Sequence, residues 1–368
     1  MRVIVCPDSF KGVLSARAAA EAMARGVRAA KPDADVQLLP MADGGEGTLD
    51  VLLQAEDGQR RLVAAHGPRG DPLEVPVGLI RHASTAVVEV ALVAGYGLIS
   101  GQRRDPMKTS TFGLGEVIRA AVESEVETII LGLGGSSTID GGAGMMQALG
   151  LALIDVSGRT LPPFAAGGDL QSISRIAWDK PPDHLDQVQF TIACDVLNPA
   201  CGPNGAAAVF GPQKGADPAQ VQILDRGLAH WADLLEAAHG RPIRDEPGTG
   251  AAGAVALPLL AMTHSALVPG VDLVAHATGL VEHIGGADLV LTGEGRLDRQ
   301  SMMGKVVGAV GRMARGADVP CVAIVGETGP GAEDCLSVLD RYHSLDGPLE
   351  ETAQRLERAA ATLSAEYL

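Results

Sequence analysis

The chain has 368 residues, of which 46% are hydrophobic and 3% aromatic, and its formal net charge is −16. This length favours two domains, and the acidic balance argues against nucleic acid as a partner, since a phosphate backbone requires a basic face. No apolar run is long enough to span a bilayer, and the five cysteines show no zinc-site or disulfide spacing, so we expect a cytoplasmic protein without membrane contacts.

The amino-terminal segment alternates between strand and helix patterns. An apolar strand is predicted over 2–6, and Ser15 is suited to cap a helix over 15–30. A second strand over 36–39 leads into a glycine-rich loop and a short helix that begins at Thr48. This βαβ opening is typical of a parallel sheet.

The segment over 60–99 has a different pattern. Its β-branched runs are broken by glycine, proline and aspartate, which is typical of antiparallel strands. We therefore expect an inserted second domain to begin here. The remaining predicted elements are a helix over 110–123, a strand over 128–133, a helix over 142–149, a loop-rich part over 162–182, a helix over 216–240, strands over 289–292 and 321–325, and helices over 304–315 and 350–367.

Four strand-like runs lead into glycine-rich turns that carry an acidic residue. The acids are Asp8, Asp43, Asp195 and Glu294, and a fifth run, over 128–133, leads into a glycine and hydroxyl segment. In open α/β sheets ligands bind beyond the carboxyl ends of such strands. Carboxylates, hydroxyls and exposed backbone amides at that edge suit a metal ion and a phosphate group.

The glycine and hydroxyl segment is composed of Gly134, Gly135, Ser136, Ser137 and Thr138. Glycines let backbone N–H groups approach a ligand, and the start of the following helix favours an anion. The alternative is a tight turn with an ordinary helix cap. Since a cap needs only one hydroxyl and one or two glycines, the composition favours a cradle for phosphate or carboxylate.

Two turns near the amino terminus combine charge with glycine. Asp8, Ser9 and Lys11 share one turn, where Lys11 can neutralise a phosphate or else form a surface ion pair with Asp8. Asp43 and Glu46 lie three residues apart at a helix start. They are candidate Mg²⁺ ligands, the alternative being simple complementation of the helix dipole.

Two further loops follow strands. Asp195 is a candidate base or metal ligand, Lys214 can pair with a carboxylate or phosphate, and Asn198 is either a ligand-binding residue or a turn former. The segment from Glu294 to Lys305 supplies a further candidate metal ligand, Glu294, and the cations Arg296 and Lys305. It lacks the GxxxxGK[ST] spacing of a Walker A loop.

These segments together resemble the glycerate kinase type 1 family. The matching segments are 7–12 (PDSFKG), 40–48 (PMADGGEGT), 109–111 (TST), 134–144 (GGSSTIDGGAG), 195–205 with 209–215, and 293–305. The likeness extends over essentially the whole chain in order, which is far more specific than any single motif.

The resemblance implies an α/β fold with two domains. A discontinuous Rossmann- or flavodoxin-like parallel-sheet domain, over 1–65 and 287–368, would be interrupted by a mixed α/β domain over 66–286, with the site between them. It also implies ATP-dependent phosphorylation of D-glycerate, with 2-phosphoglycerate as the product of most members. The sequence leaves a homodimer open.

Residue roles follow from the same resemblance as a hypothesis. Asp195 would accept or orient the proton of the substrate hydroxyl, and Lys11, Arg296 and Lys305 would neutralise phosphate. Two alternatives stay open at this point, namely a kinase for another small hydroxy acid and a non-enzymatic carboxylate or nucleotide sensor on the same scaffold. A dehydrogenase is disfavoured, because the GxGxxG match over 248–253 follows no strand.

Overall fold

A computed structural model of the chain describes residues 1–99, 104–345 and 347–368. Strands are numbered in chain order: β1 Arg2–Val5, β2 Asp35–Leu38, β3 Gln59–His66, β4 Pro72–Ile80, β5 Thr85–Glu89, β6 Thr128–Gly132, β7 Leu151–Asp155, β8 Ile173–Trp178, β9 Gln189–Ala193, β10 His264–Val268, β11 Leu289–Leu297, β12 Cys321–Thr328 and β13 Arg341–Ser344. In the described part of the chain no helix has the length and apolar character needed to cross a membrane.

Helices are numbered in the same way: α1 Ala16–Ala30, α2 Thr48–Ala55, α3 Val90–Ala94, α4 Phe112–Val122, α5 Ala143–Ala148, α6 Ala206–Phe210, α7 Pro218–His239, α8 Ala256–Met262, α9 Gly270–Thr278, α10 Leu280–Ile284, α11 Val306–Gly316 and α12 Thr352–Tyr367. The chain divides into two compact units, which we call the first unit (1–56 and 269–368) and the second unit (57–268).

The first unit contains a five-stranded parallel sheet. Its strand order is β2-β1-β11-β12-β13, with every neighbouring pair parallel. Numbered within the unit, this is the flavodoxin-like order 2-1-3-4-5, whose direction reverses between the first and third strands. The reversal point lies between β1 and β11, and the rule for such sheets places ligands beyond the carboxyl ends of these two strands.

Helices α1 and α12 pack closely in this unit. Ser15 caps α1 as the sequence predicts, since its Oγ accepts a hydrogen bond from the Ala18 N–H at 3.2 Å. A Cβ at Gly26 would lie 2.0 Å from the Glu357 carbonyl oxygen, so only glycine permits this close approach of the two helices. The packing brings the first turn of α12 to the end of the sheet where the chain leaves β13.

The second unit has a mixed sheet of six strands in the order β3-β4-β5-β6-β9-β10. The strands β3, β4 and β5 are antiparallel, and β5, β6, β9 and β10 are parallel. A separate antiparallel hairpin joins β7 to β8. The predicted α/β fold class with a mixed second domain is therefore confirmed, and so are the antiparallel strands over 60–99.

The contacts divide the chain at 56/57 and 268/269, whereas the sequence placed the boundaries at 65/66 and 286/287. The differences have physical causes. Strand β3 pairs with β4 over its full length and so belongs to the second unit. Helices α9 and α10 follow β10, and α9 packs on α2 in the first unit. The loop-rich prediction over 162–182 also missed β8.

Candidate functional site

A cavity of about 730 Å³ opens at the carboxyl ends of β1, β11, β12 and β13 in the first unit. Its walls carry charged groups of both signs beside backbone and apolar surface. The charged lining residues are Asp8, Lys11, Asp43, Glu294, Arg296, Lys305, Glu327 and Arg355. The sequence had singled out six of these eight residues. The cavity lies where the flavodoxin-like strand order places a ligand.

Asp8 and Asp43 are buried in the floor of the cavity, with exposed fractions of 4% and 5%. Asp8 accepts a hydrogen bond from the Ser9 N–H at 2.6 Å, and Asp43 accepts one from the Gly45 N–H at 3.0 Å. Burial, and secondly the charge of Asp43, raise the pKa of Asp8 to about 8. The Lys11 Nζ lies 3.9 Å from Asp43 Oδ2, so Lys11 is close to the second of the two buried acids.

Glu294 reaches the same cavity from β11. Burial raises its pKa to about 7, against the lowering effects of a hydrogen bond from the Ser301 hydroxyl and of the Lys305 charge. The preceding Gly293 must lack a side chain, because a Cβ there would lie 2.1 Å from the Ile324 carbonyl oxygen on β12. The glycine therefore lets the two strands pair closely where the carboxylate enters the cavity.

The two predicted cations of the β11 segment are placed differently. Arg296 is half exposed and already paired, with its Nη1 3.0 Å from Glu327 Oε1 and its Nε 3.4 Å from Asp298 Oδ2. Lys305 lies at the start of α11 and lines the cavity. Lys305 is thus the better placed of the two to meet a phosphate, because Arg296 would first have to leave its carboxylates.

Glu46, the third metal candidate, is exposed and is not one of the residues that line the cavity. Three polar side chains of the carboxyl-terminal segment do line it although the sequence gave no reason to select them, namely those of Ser344, Thr352 and Arg355. The pattern of α12 indicates only an amphipathic helix. Its proximity to the cavity follows from the packing of α12 on α1, which a sequence pattern does not reveal.

In the second unit the predicted cradle, Gly134–Thr138, follows β6. Gly135 has φ +60°, which favours glycine, and the Ser137 hydroxyl donates to the Ala94 carbonyl oxygen at 2.9 Å. The buried Lys214 donates from Nζ to Ser136 Oγ at 2.7 Å and to the Thr138 carbonyl oxygen at 2.8 Å. Burial lowers the pKa of Lys214 to about 7, and the nearby Asp140 opposes this shift.

Asp140 holds the turn that follows this loop. One of its carboxylate oxygens accepts hydrogen bonds of 2.7 Å from both the N–H and the hydroxyl of Thr111, and the Gly142 and Gly144 N–H groups also donate to the carboxylate. Burial raises the pKa of Asp140 against these four donors. The sequence analysis predicted no role for Asp140 or Thr111, although a fully buried acid in a glycine turn needs donors nearby.

Asp195 lies two residues beyond the end of β9. Because β6 and β9 are parallel neighbours with Gly132 opposite Ala193, Asp195 and the cradle follow adjacent strands at one edge of the sheet. Asp195 is only partly buried. The Asn198 amide donates to the Asn204 carbonyl oxygen at 2.8 Å, so it braces its own loop. The structure thus brings Asp195 to the edge where the cradle begins.

Comparison with known proteins decides the family. The model of the glycerate kinase family matches residues 3–367. The chain belongs to the glycerate kinase family. A relative from Halalkalibacterium halodurans named glycerate kinase is 41% identical over 98% of this chain and 97% of its own length, and one from Escherichia coli named glycerate 2-kinase is 38% identical over 99% and 97%.

A solved structure has the same family fold. The crystal structure assigned as glycerate kinase 2 from Salmonella typhimurium LT2 superposes with a TM-score of 0.86 at 37% identity, covering 100% of this chain and 98% of that one. The family resemblance that the sequence indicated is therefore confirmed, and with it the fold.

Proposed function

We propose that this protein is a glycerate kinase that transfers the γ-phosphate of ATP to D-glycerate, giving 2-phosphoglycerate and ADP. The observation that carries the proposal is a cavity at the reversal point of the parallel sheet that is lined by buried carboxylates and by lysines. The chain that forms this cavity belongs to the glycerate kinase family. Phosphoryl transfer depends on positioning and on neutralising phosphate charge, which is what such a set supplies.

The cavity of the first unit is assigned here to the nucleotide. Its volume of about 730 Å³ lies within the range of about 300–1,000 Å³ that is typical of drug-sized ligands, and a three-carbon acid would leave most of it empty. Lys11 and Lys305 would neutralise the phosphates. Arg296 would contact a phosphate only after leaving its ion pairs with Glu327 and Asp298. Asp8 and Ser9 would position the phosphate group being transferred.

The carboxylates of the cavity fit a magnesium ion. Within the described residues no three His, Cys, Asp or Glu side chains form a ready-made metal site. Mg²⁺ usually takes only one or two carboxylates and completes its shell with water and substrate phosphate oxygens. Asp43 and Glu294 would hold it, since they crowd Asp8 with like charge that a divalent cation would offset. When bound, the ion shields the charge of the phosphates.

In the second unit Asp195 is assigned to the acceptor substrate. As a partly buried carboxylate at the sheet edge, it would accept the proton of the glycerate hydroxyl as that oxygen attacks phosphorus. The Ser137 N–H already donates to the Ala94 carbonyl oxygen at 2.8 Å, so the other N–H groups from Gly134 to Thr138 would bind an anionic group. Lys214 already makes two hydrogen bonds within this loop, so its role would be to hold the loop in shape rather than to leave it for a phosphate.

A coupled assay of ADP release with Mg-ATP tests the proposed function. D-Glycerate, L-glycerate, tartronate and a longer aldonate should be compared, with the product carbon assigned by phosphorus NMR. We expect D-glycerate to give the highest kcat/KM, with phosphate on carbon 2. Turnover only with another acid would change the substrate, and ligand binding without turnover on any acid would favour a sensor.

We also propose a cellular location and an oligomeric state. The acidic composition without a membrane-spanning helix in the described residues supports a cytoplasmic metabolic enzyme. A homodimer stays a prediction. Light scattering on the purified protein checks it, because a dimer would have twice the chain mass of 37.7 kDa.

A further inference from the structure

Arg355 is a cation in the cavity wall that neither motif nor family resemblance singled out. It is the fourth residue of α12, one turn after Thr352, and both line the cavity of the first unit. A Cβ at Gly347, which has φ +119°, would lie 3.2 Å from Arg355 Nη1. Backbone without a side chain therefore lies against the guanidinium group.

One edge of this guanidinium group has no partner among the described residues. Nε and Nη2 of Arg355 are both buried, and neither has a hydrogen-bond partner in the described part of the chain. An arginine keeps its charge in proteins, so it cannot avoid the cost of burying unpaired donors by losing a proton. Glu327, an acid that lines the same cavity, pairs instead with Arg296 at 3.0 Å.

Among the described residues, two other arginines leave a buried donor unpaired, but only at Nε. The Nη2 of Arg2 donates to Gln37 at 2.9 Å, and Arg104 lies over the ring of Tyr96 at 5.1 Å. Each of these arginines has another favourable contact for its charge. Arg355 differs in that the edge formed by Nε and Nη2 presents two parallel donors, the geometry that binds two oxygens of one carboxylate or phosphate.

We propose that Arg355 binds a phosphate group of the nucleotide through its Nε and Nη2 donors. This inference rests on the proposed function, which assigns the cavity to ATP. The cavity volume favours a nucleotide over a three-carbon acid. Lys11 and Lys305 line this cavity, and Arg355 is a further cation in its wall. The sequence alone gives no sign of this role because Arg355 lies in an ordinary amphipathic helix.

Isothermal titration calorimetry with ADP, with adenosine and with D-glycerate tests the inference on wild type, Arg355→Met and Arg355→Lys. We expect Arg355→Met to weaken ADP binding about 10- to 100-fold, the effect of losing a charged hydrogen-bond pair, while adenosine binding stays within about twofold. Arg355→Lys should be intermediate, because it keeps the charge and loses the paired geometry. The matched control is Arg358→Met, an exposed arginine of the same helix.

Thermal unfolding separates binding from a structural role. Because the buried edge has no partner among the residues that the structure describes, Arg355→Met should not lower the ligand-free Tm, and the rise in Tm on adding ADP should be smaller than in wild type. A large drop in the ligand-free Tm would overturn the inference. So would an unchanged ADP affinity, an equal loss for adenosine, or a loss confined to D-glycerate.

The outcome is independent of whether the proposed reaction occurs. A wild type that binds ADP yet phosphorylates no D-glycerate would contradict the proposed function and leave the Arg355 inference to be decided by the ADP affinities. A wild type that phosphorylates D-glycerate while Arg355→Met binds ADP normally would contradict only the inference. Absence of any ADP binding by the wild type would overturn the inference itself.

Discussion

The two units use the same residue types after strand ends in opposite ways. In the second unit Asp140, Thr111, Lys214 and Ser136 are buried and bond to one another or to nearby backbone. In the first unit the cavity exposes Lys11, with 60% of its side chain accessible, beside carboxylates whose pKa values are raised. The polar groups of the second unit already have hydrogen-bond partners, whereas the cavity of the first unit has charged groups that can interact with a ligand.

This difference distinguishes residues that stabilise the fold from residues that are available to bind a ligand. Buried polar groups that meet all their partners stabilise one loop conformation, and their loss costs folding free energy. Buried acids with raised pKa values beside accessible cations instead indicate a candidate functional site. Asp195 is the exception in the second unit, since it is only partly buried.

The largest expected effect is on Asp195. If it acts as the base, Asp195→Asn should lower kcat by about 10² to 10⁴, because the amide cannot accept the hydroxyl proton. The urea midpoint should remain that of wild type. Steady-state kinetics with D-glycerate as the varied substrate checks this, with the exposed Asp186→Asn as control. A near-normal kcat would remove Asp195 from the chemistry.

Lys11→Met should have the next largest effect. Removing a cation that neutralises phosphate should lower kcat/KM for ATP by about 10² to 10³, by analogy with the loss of one transition-state hydrogen-bond donor. Stability should change little, because the side chain is mostly exposed and its pair with Asp43 is long. The control is the exposed Lys180→Met. Equal kinetics for the two variants would show that Lys11 does not meet the nucleotide.

Asp140→Ala tests the architectural side of the comparison. It leaves the Thr111 hydroxyl and three buried N–H groups without their acceptor, so we expect the free energy of unfolding to fall by about 3 kcal/mol. Urea unfolding followed by circular dichroism measures the loss. An unchanged urea midpoint would mean that the network is dispensable for folding and would reopen a role for Asp140 in binding.

A smaller effect concerns pH and Asp8. Its pKa is raised from 3.8 to about 8, so between these values the folded protein keeps a proton that the unfolded chain releases, and wild-type stability falls as pH rises. Asp8→Asn cannot ionise. Its Tm relative to wild type should therefore increase by about 3 °C or more from pH 5 to pH 8 in metal-free buffer, as measured by calorimetry. A constant difference would contradict the burial of an ionisable Asp8.

Much of the first unit could be predicted from the sequence. The apolar runs that end at Cys6, Thr292 and Val325 lie in β1, β11 and β12 or directly after them, because buried parallel strands leave continuous hydrophobic runs. The acids and lysines beyond these strands were identified because they lie in the glycine-rich turns that follow the hydrophobic runs. The strand β13 was missed, since Arg341–Ser344 is polar and lies at the sheet edge, where the pattern is weak.

The sequence could not show which charged residues are satisfied internally. Lys214 and Lys11 each directly precede a glycine, yet one is buried in a hydrogen-bonded network and the other faces a cavity. That distinction depends on which distant segments pack nearby, here Thr138 for Lys214 and Asp43 for Lys11. The same reason hid Arg355, which reaches the cavity through helix packing.

A side-by-side measurement on two lysines tests the comparison most directly. Lys305→Met and Lys214→Met should be compared for kcat/KM with Mg-ATP and for the free energy of unfolding. We expect Lys305→Met to lose about 10²-fold in kcat/KM at unchanged stability. Lys214→Met should mainly lower the free energy of unfolding, because it removes the hydrogen bonds from Lys214 to Ser136 and Thr138. The reverse assignment, with Lys305 affecting only stability and Lys214 only turnover, would contradict the comparison.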